Sequence, residues 1–310
     1  MPLHRSLPRF ARPPARRAAV GAGAALAVAG LLGMAVAQPA AAHPGDRTPS
    51  GRSAAAPAPR YVALGDSYSS GLGIPEETDL NCGRSSRNYP SLVAEAIHAA
   101  QVTDVTCAGA DTTHMTHRQG SAPAQLDALR PDTTVVTLGI GGNDLDLTGL
   151  LTRCVLVAYL APDGTPCRTS FTLFGTDEVR SRINATGPKI EAVIEEIHTR
   201  SPKAEVYLVG YPAIFPEDGS ACRDLIPLAT GDFPWVRDKT KQLDSMLAEQ
   251  AAVYGATYVD AYKPSVGHDA CAADGVRYIE PKDTGSAAGF HPNAAGHRST
   301  AAAVLAAIRS

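Results

Sequence analysis

The sequence has little excess charge and few aromatic residues, and both shortages narrow the class of protein. Its formal net charge over 310 residues is −3, with no block of like charges, so nucleic acid is not expected as a partner. Aromatic residues make up only 5% of the chain, so the sequence marks neither a channel for acyl chains nor an aromatic platform for sugars. The 44% of hydrophobic residues is typical of a soluble globular protein.

Long apolar runs are also scarce, and the one at Ala18–Ala37 lies near the N-terminus. Small residues follow it before His43, and five arginines precede it: Arg5, Arg9, Arg12, Arg16 and Arg17. This pattern predicts a secretory signal peptide over residues 1–42, with no membrane anchor after its cleavage. The alternative is a transmembrane anchor, for which the run is marginally long enough. The Arg16–Arg17 pair leaves open whether export uses the general or the twin-arginine route.

Residues 43–59 lack hydrophobic periodicity and are rich in Pro, Ala, Gly and Ser. Such a composition is typical of a disordered linker. The remaining residues, 60–310, have the length of one α/β domain and contain no internal repeat.

Cysteine usage agrees with export, because an even number of cysteines in a secreted chain favours disulfides. The six are Cys82, Cys107, Cys154, Cys167, Cys222 and Cys271. Three bridges are expected, although counting alone allows as many as 15 connectivities. Metal binding is the competing interpretation, but no pair has the spacing of a zinc site, and His114 and His117 alone are too few ligands. No metal or cofactor is therefore expected.

Strand and helix patterns alternate through the domain. Strands are predicted at residues 61–64, 104–110, 133–144, 204–212 and 256–262, and helices at residues 89–100, 123–129, 177–200, 232–254 and 293–308. Alternation at this spacing predicts an α/β fold, a three-layer α/β/α sandwich around a parallel sheet.

Three of the predicted strands end in turns that could supply a serine hydroxyl or amide donors. These turns are Gly65-Asp66-Ser67, Cys107-Ala108-Gly109 and Gly141-Gly142-Asn143. Parallel strands end at one edge of the sheet, where ligands of such folds bind. His291 lies just before the last predicted helix. A serine needs an adjacent base to become a nucleophile, and amide donors stabilise the oxyanion formed by its attack on an ester.

Taken singly, these residues have structural explanations. Ser67 suits a turn, Asn143 a helix cap and His291 a surface position, but their order at successive strand ends favours a site. Asp66 and Asp144 are expected to brace their turns rather than react. Histidine elsewhere is a weaker candidate: His297 is expected to pack or lie at the surface, and His268 could line the rim of the site if Cys271 tethers its loop.

The blocks "GDSYSSG", "CAGA", "GGND" and "FHPN" resemble those of the SGNH, or GDSL-type, hydrolases, and the resemblance spans residues 60–309. It implies a flavodoxin-like fold with Ser67 as nucleophile and His291 as base. The oxyanion donors would be the main-chain amide of Ser67, Gly109 and Asn143. The likeness to secreted, disulfide-linked bacterial lipases and esterases further implies sequential pairing, which gives Cys82–Cys107, Cys154–Cys167 and Cys222–Cys271.

The resulting hypothesis is an extracellular serine esterase or lipase, expected to be a monomer, that hydrolyses acyl esters through an acyl-enzyme. A carbohydrate O-deacetylase on the same fold is one alternative. A catalytically silent secreted binding protein is another, from a different functional class.

The orientation of His291 is left open by the sequence. Many relatives carry an aspartate three residues before this histidine, and here Ala288 occupies that position. The backbone carbonyl of Ala288 is the preferred acceptor for the second ring nitrogen, which would make a Ser-His dyad. The alternative is a carboxylate from Asp283 or Glu280.

Overall fold

The computed structural model describes residues 57–219 and 222–310. The predicted signal peptide, residues 1–42, and most of the predicted linker lie outside the described residues. Within the described ranges, no helix combines the length and the apolar character needed to cross a bilayer.

Seven strands and seven α-helices form the described structure. The strands are β1 (Arg60–Gly65), β2 (Glu77–Asp79), β3 (Arg84–Ser85), β4 (Gln101–Asp104), β5 (Val135–Gly139), β6 (Glu205–Val209) and β7 (Thr257–Val259). The helices are α1 (Ser67–Ser70), α2 (Tyr89–Ala96), α3 (Leu147–Ala158), α4 (Pro166–Phe171), α5 (Glu178–Arg200), α6 (Phe233–Tyr254) and α7 (Ala294–Ile308). A short 3₁₀ turn at Thr112–Met115 follows the "CAGA" block, and another at Asn143–Leu145 begins within the "GGND" block.

Five of these strands form one parallel sheet in the order β4-β1-β5-β6-β7, which confirms the predicted parallel sheet. Counted along the chain, these strands follow the 2-1-3-4-5 order of doubly wound folds, and the order reverses between β1 and β5. In the register of this pair, Tyr61 lies beside Val135 and Gly65 beside Gly139. β2 and β3 form a separate antiparallel ribbon.

Alternate residues of the central strands face two different apolar layers. Val62 and Leu64 of β1 belong to a core with Ile190 of α5 and Leu247 of α6. Tyr61 and Ala63 face the opposite way and pack in a second core with residues of α2 and α7. Because both faces of the sheet are covered, β1 and β5 are apolar almost throughout, as parallel strands usually are.

The structure differs from the sequence prediction at the second strand. β4 spans Gln101–Asp104, whereas the strand was predicted at residues 104–110, so the two share only Asp104. Beyond Asp104 the chain still follows β1, since the amide of Val105 donates to Ala63 and that of Cys107 to Gly65. The pairing of residues 105–107 with β1 is too irregular to form a strand at this edge of the sheet. Helices α3 and α4 were not predicted from the sequence.

Three disulfides tie the loops to this framework: Cys82–Cys107, Cys154–Cys167 and Cys222–Cys271. These are the pairs that the family resemblance implies. The first holds the loop of the "CAGA" block against the segment after β2, and the second joins α3 to α4. The third ties the loop after β6 to the loop that precedes the histidine block.

The buried histidine of α7 makes stability depend on pH. The Nδ1 atom of His297 accepts a hydrogen bond of 3.0 Å from the amide of Tyr89, and the side chain is 1% exposed. Burial, reinforced by the charge of His291, lowers the pKa of His297 to about 3. Acid protonates this residue more readily in the unfolded chain, so stability is lost as the pH falls from about 6.5 toward about 3.

His297→Asn should remove this dependence, because an asparagine oxygen can accept from Tyr89 without titrating. Between about pH 7 and about pH 5, the wild type should lose roughly 2 kcal/mol more of unfolding free energy than the variant. Denaturant unfolding at the two pH values measures the difference. Equal losses in both proteins would show that His297 does not titrate differently in the folded and unfolded states.

Candidate functional site

The carboxyl ends of β1 and β5 meet at the point where the strand order reverses, and a cavity of about 410 Å³ opens there. Ser67 follows β1, and Asn143 follows β5. His291 enters the same cavity from the loop before α7. In doubly wound sheets this crevice is the usual binding position, and the topology therefore explains why these residues meet.

The turn that presents Ser67 is tightly packed. A side chain at Gly65 would approach the Oγ atom of Ser69 to 2.4 Å and the carbonyl oxygen of Gly139 to 2.7 Å, so only glycine fits. Asp66 caps the short helix α1 by accepting a hydrogen bond of 2.9 Å from the amide of Tyr68. Its own amide donates to Gly139. Asp66 thus braces the turn, and Ser67 points into the cavity.

The hydroxyl of Ser67 lies in hydrogen-bond contact with His291. The distance between Ser67 Oγ and His291 Nε2 is 2.8 Å. The other ring nitrogen, Nδ1, contacts the carbonyl oxygen of Gly289 at 2.8 Å. Since a carbonyl can only accept, Nδ1 carries the proton and Nε2 is the acceptor for Ser67.

The predicted acceptor at Ala288 is therefore wrong by one residue. The carbonyl of Ala288 instead accepts the main-chain amide of His291 at 3.1 Å. Phe290 has a positive φ of 59°, a conformation that turns the chain sharply between these residues. This turn directs the carbonyl of Gly289, and not that of Ala288, toward the imidazole.

Both carboxylates that were considered for the histidine contact its loop without touching its ring. Asp283 Oδ1 accepts the amide of Gly289 at 2.6 Å. Glu280 accepts a bond of 2.8 Å from the side-chain amide of Asn293, and its main-chain groups pair with Phe290 and His291. The two residues hold the loop in place.

Two tyrosines connect the loops around the cavity. The hydroxyl of Tyr68 donates to the carbonyl of Phe290 at 2.6 Å, and its ring lies 5.0 Å from that of His291. The hydroxyl of Tyr211, which follows β6, donates to Asp66 Oδ2 and accepts the amide of Gly142 at 2.7 Å. Tyr211 thereby joins the serine turn to the asparagine turn.

Burial dominates the electrostatics of the site. It raises the pKa of Asp66 to about 7, although the hydrogen bonds from Tyr211 and from the amide of Tyr68 act in the opposite direction. Burial lowers the pKa of His291, while its bond to Gly289 and the charge of Asp283 act against this shift. A lowered pKa keeps the imidazole neutral near pH 7, the form that can accept a proton.

Of the three predicted amide donors, Asn143 and Gly109 differ in their positions relative to the cavity. Asn143 lines the cavity, and one of its side-chain N–H groups donates to the carbonyl of Ala110 at 2.8 Å. The amide carries a second N–H that is available to a ligand. Gly109 is exposed and is not among the described residues that line the cavity. Gly109 is followed by Ala110, whose carbonyl accepts the hydrogen bond from Asn143. This bond therefore links the "CAGA" block to the "GGND" block.

Asp144 stabilises the same junction. Its carboxylate accepts hydrogen bonds from the amide and the hydroxyl of Thr112, and it pairs with Lys189 of α5 at 2.9 Å. The 3₁₀ turns at the second and third blocks are thus held together.

Other histidines lie elsewhere. His268 stacks on Tyr278 at 4.0 Å and is absent from the described cavity lining. His114 contacts Asp111, and His117 contacts the carbonyl of Thr113. In residues 57–219 and 222–310, no group of three His, Cys, Asp or Glu side chains is arranged to hold a metal ion.

Sequence reasoning missed Tyr68, Tyr211, Gly289 and the cavity-lining residues of α3. Tyr211 could have been found, because it lies at the carboxyl end of the strand predicted at residues 204–212 and therefore near the same sheet edge as Ser67. The others gave no comparable signal, since their roles depend on loop conformation and helix orientation.

Comparison with known proteins places these features in a family. Residues 63–299 match the model of the GDSL-like lipase/acylhydrolase family. Lipase 2 of Streptomyces coelicolor is 41% identical over 252 residues, which cover 79% of this chain and 84% of that protein. The crystal structure of a phospholipase A1 from Streptomyces albidoflavus superposes with a TM-score of 0.68 at 29% identity, covering 81% of this chain and 99% of that one. An extracellular lipase from Streptomyces rimosus gives a TM-score of 0.67 at 26% identity over the same shares.

Tyr211→Phe tests the junction between the serine and asparagine turns. The variant leaves the amide of Gly142 and the carboxylate of Asp66 without their buried partner, which should destabilise the fold by roughly 1–3 kcal/mol. Displacement of the two turns should also lower kcat for a chromogenic ester, on the order of tenfold to a hundredfold.

Tyr61→Phe is the matched control. Its hydroxyl, also buried, bonds to Thr137 at 2.7 Å and likewise joins β1 to β5, but away from the cavity. This variant should lose stability and retain kcat. An unchanged kcat in Tyr211→Phe would show that the junction does not position the site.

Proposed function

The chain belongs to the GDSL-like lipase/acylhydrolase family and is an ester hydrolase, and from this premise we propose that Ser67 is its nucleophile and His291 its general base. The observation that carries the proposal is the hydrogen bond of 2.8 Å between Ser67 Oγ and His291 Nε2. A serine hydroxyl reacts poorly at neutral pH unless an adjacent base removes its proton, and this contact supports His291 as that base.

The proposed reaction has two half-steps. In the first, Nε2 takes the hydroxyl proton while Oγ bonds to the ester carbonyl carbon. Collapse of the tetrahedral intermediate then breaks the bond to the alkoxy oxygen, which leaves as the alcohol with the proton from His291. In the second, water gives a proton to His291 and attacks the acyl carbon; the bond from that carbon to Oγ then breaks, Oγ takes the proton back from His291, and the carboxylic acid leaves.

Charge on the carbonyl oxygen requires fixed donors. We assign the side-chain amide of Asn143 and the main-chain amide of Ser67 to this role; the main-chain amide of Gly109, outside the described cavity lining, is proposed as a third donor on the family resemblance alone. Asn143 lines the cavity together with Ser67, and its contact with Ala110 fixes its orientation. Donors that are already in position need no rearrangement when the charge develops.

His291 is proposed to work in a dyad with a main-chain acceptor. The carbonyl of Gly289 holds the protonated Nδ1, so the tautomer that activates Ser67 is maintained. A carbonyl compensates the imidazolium charge less than a carboxylate would. Asp283 reduces this deficit, because its charge raises the pKa of His291 against the effect of burial.

The enzyme is proposed to act outside the cell on acyl esters, without a metal or cofactor. Three disulfides and the N-terminal pattern of arginines followed by an apolar run support export. A carbohydrate O-deacetylase is less well supported, because the walls of the cavity are mainly apolar. A silent binding protein is disfavoured by the Ser67–His291 contact.

Ser67→Ala should retain the fold and lower kcat for a chromogenic ester by a factor on the order of 10⁶, as in other serine hydrolases. The matched control is Ser70→Ala, which removes a buried hydroxyl of the same short helix that donates to the carbonyl of Gly83. The control should retain kcat. Near-normal turnover by a folded Ser67→Ala protein would refute the proposed nucleophile.

Asp283→Asn and Glu280→Gln test the dyad. Both variants should retain most of kcat, since an asparagine oxygen can still accept the amide of Gly289 and Glu280 holds Phe290 and His291 through main-chain groups. In a protease triad, the corresponding aspartate-to-asparagine change costs about 10⁴ in kcat. A loss of that size in either variant would mean that a carboxylate, not Gly289, orients His291.

A further inference from the structure

One wall of the cavity is formed by a single helix. Leu147, Leu151 and Val155 recur every four residues along α3, and all three line the cavity that contains Ser67. Residues four apart lie on one face of a helix, so the three side chains form a continuous apolar row. Each is half-buried, packed on one side against the core and open on the other to the cavity.

A second row fixes the orientation of this helix. Leu150, Cys154 and Ala158 are also four residues apart, and all are buried. Cys154 is bonded to Cys167 of α4. Because the buried row and the disulfide hold α3 in one rotation, the adjacent row is presented to the cavity in the folded enzyme.

Among the described residues, the cavity lining contains no charged group beyond Asp66 and His291, and its mostly apolar wall on α3 is interrupted only by the hydroxyls of Thr148 and Thr152. Asp66 is 1% exposed and is bonded to Tyr211 and to the amide of Tyr68. Tyr68 and Phe290 complete the lining near the histidine.

We propose that the row Leu147–Leu151–Val155 is the binding subsite for the acyl chain of the ester and sets the preferred chain length. The inference rests on the proposed function of Ser67. Asn143, assigned above to the carbonyl oxygen, lies just before the N-terminal end of α3. The acyl chain therefore begins near Leu147 and runs along the helix toward Val155.

The length of the row sets the expected preference. Eight residues of helix separate Leu147 from Val155, which is about 12 Å at about 1.5 Å per residue. An extended chain advances about 1.2 Å per bond, judged from the span of an extended polypeptide. The row therefore covers about ten carbon–carbon bonds. Tyr159 continues the row but is exposed, so longer chains extend into solvent and gain no further burial.

The first experiment measures kcat/KM for nitrophenyl esters from acetate to palmitate, below the concentrations at which the esters aggregate. We expect kcat/KM to rise by up to about fourfold for each methylene that is buried. From butyrate to decanoate the increase should be on the order of a hundredfold or more, followed by a plateau. A flat profile, or a maximum at acetate, would overturn the inference.

The second experiment changes the length of the row. Val155→Trp should block its far end and lower the decanoate-to-butyrate ratio of kcat/KM by about tenfold or more. Leu151→Trp should shorten the preferred chain by about five bonds more than Val155→Trp does, because Leu151 lies about one helical turn closer to Ser67. Val155→Phe provides a smaller change if the larger side chain disturbs folding, which thermal unfolding would reveal.

Leu156→Trp is the matched control. Leu156 lies on the same helix, is 67% exposed and is absent from the described cavity lining. The dependence of kcat/KM on chain length in this variant should therefore match that of the wild type. Identical profiles for folded Val155 and Leu151 variants and the wild type would overturn the inference. Failure of the proposed function is distinguishable, because hydrolysis of every ester, acetate included, would then survive Ser67→Ala.

Discussion

The hydrogen bond between Ser67 and His291 joins two residues that are 224 positions apart, and it exists only because two loops are held against each other. The hydroxyl of Tyr68 donates to the carbonyl of Phe290, and the amide of Ala288 donates to Leu72. The loops approach so closely that a side chain at Gly73 would lie 2.5 Å from the nitrogen of Ala288. Each contact is weak by itself. Together they keep Ser67 Oγ and His291 Nε2, the atoms proposed to react, at a fixed distance, on which the rate of such a reaction depends steeply.

Buried polar groups between the strand ends impose a second constraint. Tyr211 joins Asp66 to Gly142 through its hydroxyl, and its own amide donates to the buried carboxylate of Asp244 at 2.8 Å. Burial raises the pKa of both carboxylates, so each weakens the fold when it is ionised. Their hydrogen-bond partners offset part of this cost. The same bonds require one geometry of the turns, so the site gains a defined shape from interactions that contribute little net stability.

Helix α3 links this rigid centre to the proposed acyl subsite. Its buried row and its disulfide belong to the scaffold, whereas the neighbouring row faces the cavity. Substitutions in the second row can therefore alter the depth of the cavity without disturbing the Ser67–His291 contact.

The sequence alone determined the parallel sheet and the positions of Ser67, Asn143 and His291, because hydrophobic periodicity and turn residues are local signals. The cysteine pairs followed from the resemblance to a family. Sequence reasoning placed the acceptor for His291 at Ala288, whereas the structure places it at Gly289, since the positive φ of Phe290 redirects the carbonyls. The sequence also contained no indication of the acyl subsite proposed on α3. Which face of α3 meets the cavity depends on packing and on the Cys154–Cys167 bridge. Only the tertiary structure decides such features, because they arise from contacts between residues far apart in the chain.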